Sequence, residues 1–292
     1  MSVVSVEPDR TATGIDTTVP HSARIWNYWL GGKDNYAVDR AAGEAWLKVD
    51  PNITVMARAT RAFLRRSVEY LARDVGIRQF LDIGTGLPTA DNTHEVAQRV
   101  APDARVVYVD NDPLVLAHAR ALLTGTPEGS TRYLHADMRD AAVLAEGAAE
   151  ILDLSQPVAV FFMGVLGHVA DTAEARGIVQ AVMARVSSGS HLTVCDGTPV
   201  DAPTTAGGPG DGPSGRPAGE PADDDLMGKA QEDYADSGAV PYWNRPHEEI
   251  RSFFDGLDFV EPGFVSIPQW RPDDPDTPPT PLAGYGGVAR KP

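Results

Sequence analysis

From about residue 76 the chain alternates short runs rich in β-branched and aromatic residues with stretches of helical spacing, and this alternation constrains the fold more than any other feature. Apolar runs fall at 80–83, 105–109, 132–135, 158–163 and 191–195. Helical patterns lie between them at 94–100, 112–123, 140–150 and 172–186. Strands separated by helices of that length predict βαβ units, and so an α/β fold whose parallel sheet is covered on both faces. Two further helices are expected at 225–236 and 247–256. Two last strands are expected at 259–267 and 284–289, separated by a loop at 271–281 too rich in proline to sit in a sheet.

The preceding segment reads as helical. Ile25, Trp26, Trp29 and Leu30 form one apolar face that ends at Gly31-Gly32. A second helix is expected over 34–51, with Val38, Ala42 and Trp46 on one side. A third over 54–74 carries Met56, Ala59, Phe63, Val68 and Leu71. The organisation expected is a disordered tail at 1–19, a helical cap at 20–75 and an α/β domain at 76–292. Within that domain the Pro/Gly-rich stretch 202–221 is expected to be a flexible insertion.

The first strand ends in Leu81-Asp82-Ile83-Gly84-Thr85-Gly86. A glycine turn at the carboxyl edge of a parallel sheet is where open α/β folds bind ligands, because glycine lets a ligand lie against the main chain. Alone, Gly84 and Gly86 say only that something binds there. Asp110 follows the second strand, 24 residues after Gly86, where a carboxylate can accept both hydroxyls of a ribose. Asp137 and Met138 follow the third strand, where Asp137 could accept from an exocyclic amine such as that of adenine. Asn111 and Met163 lie at the ends of the second and fourth strands, on the same edge. Asp112-Pro113 reads as a helix start, which uses one member of the Asp110-Asn111-Asp112 triplet and argues against a metal there.

A dinucleotide site needs a third glycine so that a helix N-terminus can approach a pyrophosphate. Here Pro88-Thr89 occupies that region. S-adenosylmethionine has a ribose and an adenine but no phosphate, and suits the turn better. A nicotinamide-dependent oxidoreductase stays open as a less favoured alternative.

Segments 20–36, 59–88, 106–123 and 158–169 resemble an actinobacterial family of S-adenosylmethionine methyltransferases first described as a domain of unknown function. The most specific stretches are Leu30-Gly31-Gly32-Lys33-Asp34-Asn35-Tyr36 and 80–88. The resemblance implies the class I methyltransferase fold: a Rossmann-like, mostly parallel seven-stranded sheet with an antiparallel last strand. The wider class has a third glycine where Pro88 stands. The chain is also distantly similar to leucine carboxyl and polyketide O-methyltransferases. That similarity implies that Lys33 and Arg61 hold the cofactor's carboxylate, a role for which a bidentate guanidinium is suited.

Methyl transfer asks the protein to align the reacting atoms in a dry pocket and, for some acceptors, to remove a proton. His168, just past the fourth strand, is the candidate base. Trp26, Tyr28 and Trp29 could form an aromatic wall, although at helical spacing such residues are more often core. The expected reaction is methylation of a small organic acceptor at oxygen or nitrogen. A sensor that binds the cofactor without transferring methyl stays open, because no acceptor-side motif is legible.

Net charge is −16, with +2 on residues 1–80 and −18 on the remainder. That balance disfavours a nucleic-acid partner. No run is apolar enough for a membrane span, no leader is expected at Glu7 and Asp9, and the single cysteine, Cys195, fits a reducing cytoplasm. Oligomeric state is not legible.

Overall fold

The computed structural model describes residues 16–115, 117, 125–199, 240–277 and 279–292. The chain forms an α/β fold around one sheet. Its central strands are β1 (Gln79–Ile83), β2 (Arg105–Asp110), β3 (Ser130–His135), β4 (Ala159–Met163) and β5 (His191–Gly197). The remaining strands are β6 (Asp258–Phe259), β7 (Val265–Ser266) and β8 (Gly284–Arg290). The order is β3-β2-β1-β4-β5-β8-β6, with β7 also paired to β8. β1 to β5 run parallel, in registers such as Leu81 beside Val107 and Phe80 beside Ala159. β8 enters antiparallel, with Leu192 beside Ala289.

The period of two along each strand divides the core in half. Leu81, Ile83, Val107, Val109, Val160 and Phe162 face one side. There they meet α5 (Ala141–Ala148), α6 (Thr172–Met183) and α7 (His247–Ser252). Phe80, Val106, Tyr108, Ala159 and Phe161 face the other, against α3 (Ile53–Tyr70) and α4 (Thr93–Val100). Such two-sided burial explains why the strands read as continuous apolar runs rather than as an alternation.

The N-terminal helices α1 (Ser22–Trp29) and α2 (Ala37–Val49) share a small core of Ile25, Trp29, Trp46 and Ala57 with the start of α3. The rest of α3 lays Phe63, Leu64 and Val68 on the sheet, so α3 ties the cap to it. A buried ion pair locks the cap. Arg24 Nε donates to Asp39 Oδ1 at 3.0 Å, and Asp39 also accepts from the backbone of His21 and Tyr36.

The expected strand at 259–267 is two short pieces, β6 and β7, and the sheet therefore counts eight strands rather than seven. Gly263 turns left-handed between them (φ 90°), so the pairing with β8 is interrupted there. The third helix gives way to a π turn over Leu71–Val75 that Gly76 terminates. Of the expected helix at 112–123, residues 112–115 and 117 are described, and 113–115 and 117 are helical. The expected tail up to residue 15, the insertion at 202–221 and the helix at 225–236 lie outside the described residues. No helix among the described residues is long and apolar enough to cross a membrane.

Candidate functional site

Parallel strands bring their carboxyl ends to one edge, and the loops leaving β1 to β5 there, together with residues of the cap, line a cavity of about 310 Å³. Arg61, Asp82, Gly84, Gly86, Asp110, Asn111, Met138, Met163 and His168 all line it. Lys33 and Asp137 do not. Lys33 is exposed on the loop before α2. Asp137 is also exposed, and its Oδ1 accepts from the backbone and side chain of Arg139.

The glycine turn is shaped by contacts on both sides. Gly84 is left-handed (φ 71°), its N–H donates to Val109 O at 2.8 Å, and a Cβ there would come within 2.3 Å of Val165. Gly86 is left-handed as well (φ 66°), and a Cβ would meet open space. Its N–H donates to Asp110 Oδ2 at 2.9 Å, while Asp112 N–H donates to Oδ1 at 2.9 Å. Burial pushes the Asp110 carboxyl above the usual carboxylate range, against the pull of those two N–H donors. Each carboxylate oxygen retains a second lone pair.

Pro88-Thr89 delays the next helix. Asn92 N–H donates to Glu95 Oε2 at 2.8 Å, so the backbone amide before α4 is satisfied within the chain rather than offered to a phosphate. Beneath the turn Thr93 Oγ1 donates to Asp82 Oδ2 at 2.6 Å. Burial raises Asp82 to about 6, although Thr93 and the nearby Arg61 oppose this. Arg61 Nη2 donates to Ala90 O and Asp91 O at 3.1 and 2.9 Å, tying α3 to the loop after the turn. Its Nε is buried with no hydrogen-bond partner among the described residues.

The stretch at 30–36 owes much to local geometry. Asn27 Oδ1 accepts from Asp34 N–H at 3.1 Å and from Asn35 Nδ2 at 3.0 Å. A Cβ on Gly32 would come within 2.4 Å of the Asn27 amide. Asn27, Trp26 and Trp29 reach the cavity, whereas Tyr28 lies outside its lining and donates to Glu44.

On the opposite side, His168 Nδ1 bonds Pro241 O at 2.9 Å. A carbonyl only accepts, so Nδ1 carries the proton and the Nε2 lone pair is left available in the neutral ring. Burial lowers the His168 pKa below the ordinary histidine value. Residues 240–245 form the wall beside it. Tyr242 packs edge-on to His168 and donates to Asp196 Oδ1, and its hydroxyl accepts from Gly197 N–H. Arg245 is buried; its guanidinium donates to Leu166 O and Val169 O and lies 3.5 Å from Asp196 Oδ2. Burial raises Asp196 to about 6, opposed by Tyr242 and Arg245.

Asp196, Tyr242 and Asn244 were not among the sequence candidates. Asp196 has a legible signal, since it lies at the carboxyl end of β5 as Asp110 does in β2. Tyr242 and Asn244 lie between the helices expected at 225–236 and 247–256, outside any expected element, and carry no such signal.

The sequence profile of the S-adenosyl methyltransferase family matches residues 8–211 and 218–292. A crystal structure of a family protein of unknown-function domain 574 from Streptomyces avermitilis is similar at 41% identity and TM-score 0.82, covering 95% of this chain and 99% of that one. A candidate methyltransferase from Thermobifida fusca is similar at 35% identity and TM-score 0.79, covering 95% and 97%. Among curated proteins none matches the sequence.

The chain belongs to the S-adenosyl methyltransferase family and is an S-adenosylmethionine-dependent methyltransferase.

Proposed function

We propose that the cavity holds S-adenosylmethionine along the β1–β2 edge and methylates a small organic acceptor, at oxygen or nitrogen, on the side of His168 and Tyr242. The observation carrying this reading is the carboxylate of Asp110 held against the left-handed Gly86 by the Gly86 N–H, over open space that a ribose could fill. The cofactor, when bound, supplies a methyl group already activated on a sulfonium. Asp110 accepts from the ribose hydroxyls, with Asn111 beside it. Met138 and Met163 supply apolar contact along the same edge. Gly84 and Gly86 let the main chain approach, and Asp82 holds the turn through Thr93. Arg61, which lines the cavity, holds the methionine carboxylate through its guanidinium. Lys33, exposed on the cap loop, reaches that carboxylate only if the loop closes further. Asp137 reaches an adenine amine only if it leaves Arg139.

The acceptor's proton goes to His168. Nδ1–H is fixed by Pro241 O, so Nε2 is the basic atom, and burial keeps the ring neutral at working pH.

Thermal unfolding with S-adenosylmethionine tests the reading. Ligand at about 100 times its Kd stabilises by about 2.7 kcal/mol, a rise of about 5 °C in Tm. Asp110→Ala should remove most of that rise, measured against the variant's own ligand-free Tm, which should fall because the Gly86 and Asp112 N–H groups lose their acceptor. A full shift in Asp110→Ala would withdraw the ribose assignment, and a shift with NAD instead would withdraw the cofactor placement.

A further inference from the structure

We infer that the acceptor is an uncharged, flat molecule bearing a weakly acidic hydroxyl, of the phenol class, and that Asn244 determines its specificity. The inference rests on the cofactor placement proposed above.

Two walls face each other across the part of the cavity that the cofactor residues do not claim. The cap contributes Trp26, Trp29, Trp46 and Met56, a broad apolar surface suited to a flat ring. The opposite wall is a polar edge built around Tyr242, with His168 packed against one side of its ring. At Gly197 a Cβ would meet Asn244 Oδ1 at 2.6 Å and the Tyr242 ring at 3.4 Å, so Asn244 and Tyr242 flank the same glycine. The Asn244 carboxamide lines the cavity and has no hydrogen-bond partner among the described residues. That amide is half-buried and open to the cavity, and a polar atom of the acceptor would bond it in place of water.

Charge narrows the class. The lining cations are Arg61, assigned to the cofactor carboxylate, and Arg139, paired with Glu174 and Asp137. His21 lies against Asp112. Among the described lining residues, an anionic acceptor would find no cation of its own. Among the described acids on this side, Asp196 already accepts from Tyr242 and faces Arg245, and Asp50 accepts from Asn52 N–H on one oxygen, so a neutral group makes fewer demands on them than an ammonium. A neutral hydroxyl fits both His168 and Asn244. As the acceptor oxygen bonds the methyl carbon, the carbon–sulfur bond breaks with its electron pair going to sulfur. The hydroxyl proton passes to His168 Nε2, which leaves a methyl ether and S-adenosylhomocysteine.

Three probes with one flat body separate the classes: 2-naphthol, 2-naphthoate and 2-naphthylmethylamine, titrated by calorimetry into the full chain saturated with S-adenosylhomocysteine. The naphthol should bind about tenfold more tightly than either charged analogue. Asn244→Leu should weaken naphthol binding about fivefold and leave S-adenosylhomocysteine affinity unchanged. With S-adenosylmethionine, labelled methyl should appear on the naphthol alone. Preference for the naphthoate or the amine would overturn the inference, as would an unchanged naphthol Kd in Asn244→Leu. If S-adenosylhomocysteine binds and the naphthol does not, the acceptor class falls while the cofactor site stands. If S-adenosylhomocysteine does not bind, both fall.

Discussion

Asp110 and Gly84 show how single residues set this site. Asp110 is legible from sequence because a carboxylate ending the second strand of a βαβ unit can face only one edge of the sheet. Gly84 is legible as a turn, but the reason it must be glycine, the Val165 side chain leaving β4, is a tertiary contact that no local pattern contains. Gly84→Ala combines a left-handed backbone with that overlap and should cost about 1–3 kcal/mol in urea unfolding. A loss below about 0.5 kcal/mol would mean the loop after β4 yields freely. His168 belongs to the same scale. Its proton should leave below the ordinary histidine range, because burial disfavours the charged ring. Titration of its ring nitrogens by NMR reads this directly, and a pKa above that range would remove it as a neutral base at working pH.

At the scale of elements, the strands and most helices followed from periodicity, because two-sided burial gives strands unbroken apolar runs and the helices one apolar stripe each. Periodicity was silent on two matters. The strand expected at 259–267 runs through Glu261-Pro262-Gly263, a turn signal that outweighs the apolar residues on either side of it. Periodicity did not expose the Arg24–Asp39 pair either, since charged residues on amphipathic helices usually face water. In the folded chain that pair is fully enclosed and organises α1, the loop at 30–36 and the start of α2. Asp39→Ala leaves Arg24 buried and unpaired, and should cost about 3–5 kcal/mol. Hydrogen exchange should place the loss in α1 and α2, with amides of β1 and β4 unaffected. A cost under about 1 kcal/mol would show that the pair is dispensable for the cap.

Across the whole molecule, the site joins three distant stretches: the cap, the strand edges and residues 240–245. The strand edges were legible because parallel topology fixes where their ends meet. Residues 240–245 were not, because their place depends on Arg245 gripping the loop after β4 and on Tyr242 lying over Gly167 and Gly197. Global stability carries a mark of this burial. Asp82 and Asp196 are both raised to about 6 from 3.8, so the native state binds their protons more tightly than the unfolded chain. Their contribution is present below the ordinary carboxylate range and is lost as pH rises through about 6. Asp82→Asn should therefore become more stable relative to the native chain between about pH 4 and about pH 7.5. An unchanged difference across that window in urea unfolding would show that Asp82 titrates normally.

A crystal structure of the full chain with S-adenosylhomocysteine tests the cofactor placement most directly. Both ribose hydroxyls should lie within about 3 Å of the Asp110 carboxylate, and the amino-acid carboxylate should lie at the same distance from Arg61. A nucleoside bound away from the Gly84–Gly86 turn, or a ribose turned from Asp110, would contradict it.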